Sequence, residues 1–93
     1  MLTEYRIFET KVFRNDLEDL PHAVVPKIQA KLTSYVYPQL RQQPHFGPNI
    51  KKLHHWHPET WRYRIGSWRF FYEIDERQKI VFMTTLDNRK DAY

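Results

Sequence analysis

Arg62, Arg64 and Arg69 flank a Gly66-Ser67 pair inside one aromatic stretch. Guanidinium groups stay charged at any physiological pH and donate in parallel pairs to phosphate oxygens, so three in so short a span suit a clamp for a phosphate backbone. Lys51 and Lys52 stand shortly before them, with His54, His55 and His57 between. Histidine has the ordinary pKa best placed for proton transfer near neutrality. These three admit three readings: solvated loop residues, groups acting at a bound RNA, or zinc ligands without the carboxylate or cysteine of a familiar set. No metal or cofactor is expected. Trp56 and Phe71 offer flat faces for stacked bases, or else two rings for a core.

The charge is unevenly spread. The 93-residue chain carries a net +4. Residues 41–72 hold six basic groups and one acid, whereas the remainder holds nine basic and ten acidic groups. All the excess positive charge therefore lies in the middle stretch, which points to a polyanion, nucleic acid foremost, with a solvated basic face as the alternative. The length fits one domain over residues 1–93. A hydrophobic fraction of 41% beside a mean hydropathy of -0.77 describes a folding chain with a charged surface. The absence of cysteine excludes disulfides and thiolate chemistry. No segment approaches the ~20 apolar residues of a membrane span, and the start lacks a signal-like pattern, so a cytoplasmic protein without membrane contact is expected.

The elements that must position these residues can be read from periodicity. Residues 5–9 alternate as a strand, and Thr10 is a helix N-cap. Phe13, Leu17 and Leu20 recur at helical spacing until Pro21. A second amphipathic helix carries Val25, Ile28, Leu32 and Tyr35 on one stripe, with Pro26 in its first turn. Pro38, Pro44, Gly47 and Pro48 predict a loop over residues 38–49. Strands follow at residues 61–65, 68–74 and 80–86, with a polar tail from 87. The order strand, helix, helix, strand, strand, strand implies an α+β fold: an N-terminal strand, a two-helix hairpin and a mainly antiparallel C-terminal sheet with one face open.

A two-residue Gly66-Ser67 turn fixes the hairpin register, placing Ile65 opposite Trp68, Arg64 opposite Arg69, Tyr63 opposite Phe70 and Arg62 opposite Phe71. Alternation then puts Trp61, Tyr63, Ile65, Phe70, Tyr72 and Ile74 on a core face, and Arg62, Arg64, Arg69 and Phe71 on the reverse. Two arginines directly opposite repel by up to roughly 1 kcal/mol. A bound phosphate relieves that repulsion, and so does a carboxylate such as Glu73 or Asp87.

The strings Asn49-Ile50-Lys51-Lys52-Leu53, Trp61-Arg62-Tyr63-Arg64-Ile65-Gly66, Trp68-Arg69-Phe70-Phe71-Tyr72-Glu73-Ile74 and Asn88-Arg89-Lys90-Asp91-Ala92-Tyr93 resemble, in order and spacing, the RelE/ParE toxin superfamily. The likeness covers nearly the whole chain. It implies the toxin of a type II toxin-antitoxin pair, bound by a cognate antitoxin in a hetero-oligomer. In the RelE branch it further implies an endoribonuclease that enters the ribosome and cuts messenger RNA by attack of a 2'-hydroxyl on the neighbouring phosphate. Carried over by position, Arg62, Arg64, Arg69, Arg89 and Tyr93 match the catalytic set. Lys51, Lys52, His54, His55 and Phe71 are expected RNA contacts from their own charge, proton-transfer chemistry and stacking faces. RelE has lysines at the first two positions, and arginine cannot transfer a proton, so Arg62 and Arg64 read as phosphate clamps and Tyr93 as one candidate base. Two other functions share these features: a ParE-like inhibitor of DNA gyrase without catalysis, and a basic RNA-binding adaptor.

Overall fold

The computed structural model describes residues 4–88, so Arg89 and Tyr93 lie outside the described residues. Strand β1 (Arg6–Glu9) leads into helix α1 (Lys11–Glu18). Thr10 caps that helix by accepting from the Phe13 N–H at 3.2 Å, while its hydroxyl donates to the Met83 carbonyl at 2.8 Å. One side chain thus satisfies an orphan helix donor and ties the helix start to the sheet. Helix α2 (Val25–Lys31) begins with Pro26 in its first turn, as expected.

The expected loop over residues 38–49 begins later than the prolines suggest. Helix α2 continues through a π-helical turn (Leu32–Val36) into α3 (Tyr37–Gln42), with Pro38 in the first turn of α3. Proline inside a helix lacks a donor and clashes with the preceding turn, and the wider π turn accommodates that defect. The Tyr37 N–H reaches back five residues to the Leu32 carbonyl. The extra residue also rotates the apolar stripe. Tyr35, expected on it, is 63% exposed, and the buried line is Ile28, Leu32, Val36 and Leu40.

Four strands follow among the described residues: β2 (Ile50–Leu53), β3 (Thr60–Ile65), β4 (Trp68–Asp75) and β5 (Ile80–Asn88). They form one five-stranded sheet in the order β1-β5-β4-β3-β2. The β1–β5 pair is parallel and the rest antiparallel. Strand β2 is absent from the sequence reading, because Ile-Lys-Lys-Leu alternates with neither helical nor strand period. The helices cover one sheet face. Phe13, Leu17, Ile28, Leu32, Val36 and Leu40 meet Tyr63, Phe70, Tyr72, Val81, Met83 and Leu86 in the core. Each fully buried large apolar side chain stabilises the fold by about 1.5–3 kcal/mol relative to exposure.

A β-bulge breaks the alternation of β5. Phe71 pairs with Thr85 but Tyr72 pairs with Met83, leaving Thr84 as the extra residue. Val81 and Met83 therefore point to the core on one side of the bulge and Leu86 on the other. The parity change sends Thr85 and Asp87 to the open face.

Candidate functional site

The hairpin register agrees with the sequence at every position read from it: Ile65 pairs with Trp68, Arg64 with Arg69, Tyr63 with Phe70 and Arg62 with Phe71. Gly66 takes φ 58°, the left-handed conformation that a Gly-X turn demands at its first position. With Tyr63 and Phe70 buried against the helices, Arg62, Arg64, Arg69 and Phe71 occupy the reverse face.

Strand β2 extends this face and sorts the two lysines. Lys51 pairs with Arg62 and shares its side of the sheet, whereas Lys52 pairs with Trp61 and faces the helices' side. There Lys52 bridges Glu59 at 3.0 Å and lies 5.7 Å from the centre of the Trp61 ring. Lys52, expected among the RNA contacts, is therefore separated from the arginine face, because adjacent residues of a strand project oppositely. Lys51, Arg62 and Arg64 form the cationic row that remains. At the end of the β2–β3 pair nearest the Gly66 turn, a cleft of about 410 Å³ is lined by Pro48, Asn49, Ile50, Arg62, Arg64, Ile65 and Gly66. Arg64 is steered along its rim by donating from Nε to the Gly66 carbonyl at 3.2 Å.

Arg69 has a different environment. Its Nε and Nη2 donate to the two carboxylate oxygens of Asp87 at 2.9 and 3.0 Å, a bidentate pair between directly opposed residues. Of the two means of relieving the Arg64–Arg69 repulsion, the carboxylate is in place, supplied by the bulge that turns Asp87 outward. Arg69 also lies over Phe71, 5.9 Å from the ring centre. On the same ring stacks Trp56, with centroids 5.9 Å apart and planes inclined by 15°. This contact folds the β2–β3 loop, with its exposed His54 and His55, toward the cationic row. The two imidazoles lie 6.4 Å apart, and His55 adopts a positive φ of 66°.

A second polar cluster lies where the segment after α3 meets the β4–β5 turn. Glu76 accepts from the Tyr5 hydroxyl at 2.8 Å, contacts His45 Nε2 and lies 3.5 Å from Lys79. Burial opposes the Glu76 charge, but the hydrogen bonds from Tyr5 and His45 and the nearby cations outweigh it and hold the carboxyl below its usual range. Burial pushes the Tyr5 phenol up, with Glu76 adding to the shift. Beneath the sheet, Tyr72 donates to the Pro44 carbonyl at 2.7 Å, and burial drives its phenol far above the ordinary range. Tyr5 and His45 lie far in sequence from Glu76 and Lys79, so no local signal announces this cluster.

The two-layer α+β fold, helices on one face of a five-stranded mixed sheet, matches that of RelE toxin structures. The chain is similar to the toxin-antitoxin complex RelBE2 from Mycobacterium tuberculosis, at 27% identity and a TM-score of 0.76, covering 96% of this chain and 95% of that one. It is similar also to a mutant of the Escherichia coli toxin RelE in the free state, at 18% identity and a TM-score of 0.64, covering 96% and 87%. A RelE–RelB complex from Pyrococcus horikoshii aligns at 22% identity and a TM-score of 0.56, covering 92% and 96%. Residues 7–93 match the family described as the ParE toxin of the type II toxin-antitoxin system, parDE. The chain belongs to that family, within the RelE/ParE superfamily of type II toxins. No curated protein matches it significantly in sequence.

Proposed function

We propose that this toxin is an endoribonuclease that grips messenger RNA on the open sheet face and cuts it on the ribosome. The observation that carries the proposal is the row of Lys51, Arg62 and Arg64 on adjacent strands, facing away from the helices beside an open cleft. Cleavage proceeds by attack of a 2'-oxygen on the adjacent phosphorus and departure of the 5'-oxygen, giving a cyclic phosphate and a 5'-hydroxyl. The proton leaving the 2'-hydroxyl passes to a base, and an acid returns one to the leaving oxygen. Arg62 and Arg64 stabilise the added negative charge. Arg89 and Tyr93 complete the set, with Tyr93 as base and His54 or His55 as the alternative proton carrier. A site rich in cations and poor in proton-transfer groups benefits from a message already positioned by the ribosome. The cognate partner is an antitoxin whose acidic, amphipathic segment folds on the aromatic and basic surface, and the pair resides in the cytoplasm.

The family match supports a second reading, in which the toxin binds DNA gyrase and performs no chemistry. The two part in one experiment. Primer extension on a translated message after brief expression is expected to show new 5' ends, lost in Arg62→Ala/Arg64→Ala and in Tyr93→Phe. Accumulating DNA breaks with intact messages, in the parent and in Tyr93→Phe alike, would reject the ribonuclease in favour of gyrase. Equal cleavage of naked and ribosome-bound RNA would reject ribosome dependence alone.

A further inference from the structure

We propose that Trp56 and Phe71 form a platform on which one base of single-stranded RNA stacks, while Lys51 and Arg62 hold the adjoining phosphate. The inference rests on the phosphate-gripping reading of the open face and adds a base-binding site to it. Trp56 belongs to a loop and is 52% exposed, yet it lies nearly parallel to Phe71 instead of swinging free. With one side of the indole on Phe71, its exposed half is presented to solvent as a preformed aromatic surface. Arg69 lies over the same Phe71 ring, 5.9 Å from its centre. The Trp56–Phe71 stack is thus assembled before any ligand arrives, which lowers the ordering cost of binding.

Its position selects the occupant. Phe71 stands directly opposite Arg62, which stands opposite Lys51, so ring and cations are neighbours across three strands. Directly opposed side chains have Cβ atoms about 4.5–5.5 Å apart, within the reach of one nucleotide. Stacked rings beside a backbone-tracking cation row are the two components of single-strand recognition. Another exposed aromatic, Phe8, lacks this setting: it contacts Phe82 at the β1 edge.

The test uses the full chain with two probes, a short single-stranded RNA and inorganic polyphosphate of similar charge. Trp56→Ala is expected to weaken RNA binding by about tenfold, the loss of one stacked base, and to leave polyphosphate binding unchanged. Trp56→Phe keeps a ring and retains most of the affinity. Indole fluorescence of the parent is quenched by RNA, and the quench disappears in Trp56→Phe, because Trp61 and Trp68 share the helices' side of the sheet. Unaltered RNA binding by Trp56→Ala, or equal weakening for both probes, overturns the platform while leaving the phosphate-gripping face intact. A parent chain that binds neither probe overturns both.

Discussion

Asp87→Asn is the most informative single change, because it acts on stability and on anion binding in opposite directions. The carboxylate is half exposed and Arg69 largely covered, with side-chain exposures of 48% and 22%. A partly exposed ion pair contributes about 0.2–1 kcal/mol. Its loss also uncovers the directly opposed Arg64–Arg69 pair, a like-charge contact costing up to about 1 kcal/mol. The variant should therefore be destabilised by up to about 2 kcal/mol, and in a domain this size each kcal/mol lowers Tm by about 4–8 °C. Sulfate or phosphate should recover more of that loss than it adds to the parent. Released from Asp87, Arg69 joins the cationic row, so binding to single-stranded RNA tightens and its log–log salt slope steepens by about 0.7, one added phosphate contact. Thermal melts with and without sulfate, and fluorescence anisotropy across a salt series, measure both effects. An unchanged Tm refutes the charge-relief argument, and weaker RNA binding at low salt refutes the placement of phosphate beside Arg69.

Two pH effects follow from the buried and clustered groups. The folded Glu76 carboxyl lies below its unfolded value, so its stabilising contribution is present above the usual carboxylate range and is lost as pH falls through the folded pKa. Glu76→Gln should therefore melt below the parent at neutral pH and converge with it in acid, and a gap that stays constant in acid contradicts this. Tyr72 has the opposite sense: its folded phenol keeps its proton above the ordinary value near 10, so stability is held below that pH and lost in alkali as the unfolded chain ionises. Tyr72→Phe should cost about 1 kcal/mol at neutral pH, for the hydrogen bond to the Pro44 carbonyl, and should flatten the alkaline limb of a Tm–pH curve. An alkaline limb identical to the parent's would show that Tyr72 does not control it.

Much of the arginine face was legible in the residues, because a hairpin is a local object. Gly66 supplies the positive φ, a two-residue turn sets the register, and strict alternation divides Arg62, Arg64, Arg69 and Phe71 from Tyr63 and Phe70. Thr10 likewise announced its helix through its own cap. What tertiary structure decided depends on partners distant in sequence. The π turn rotates the stripe from Tyr35 to Val36 and carries the helix through Pro38, because burial against the sheet outweighs a local helix-breaking signal. Strand β2 exists through pairing with β3, and that pairing divides Lys51 from Lys52. Above all, the bulge at Thr84 reverses the parity of β5, keeps Leu86 in the core and turns Asp87 toward Arg69. Residue types and spacing placed the cations together; only the cross-strand register matched Arg69 with the Asp87 carboxylate.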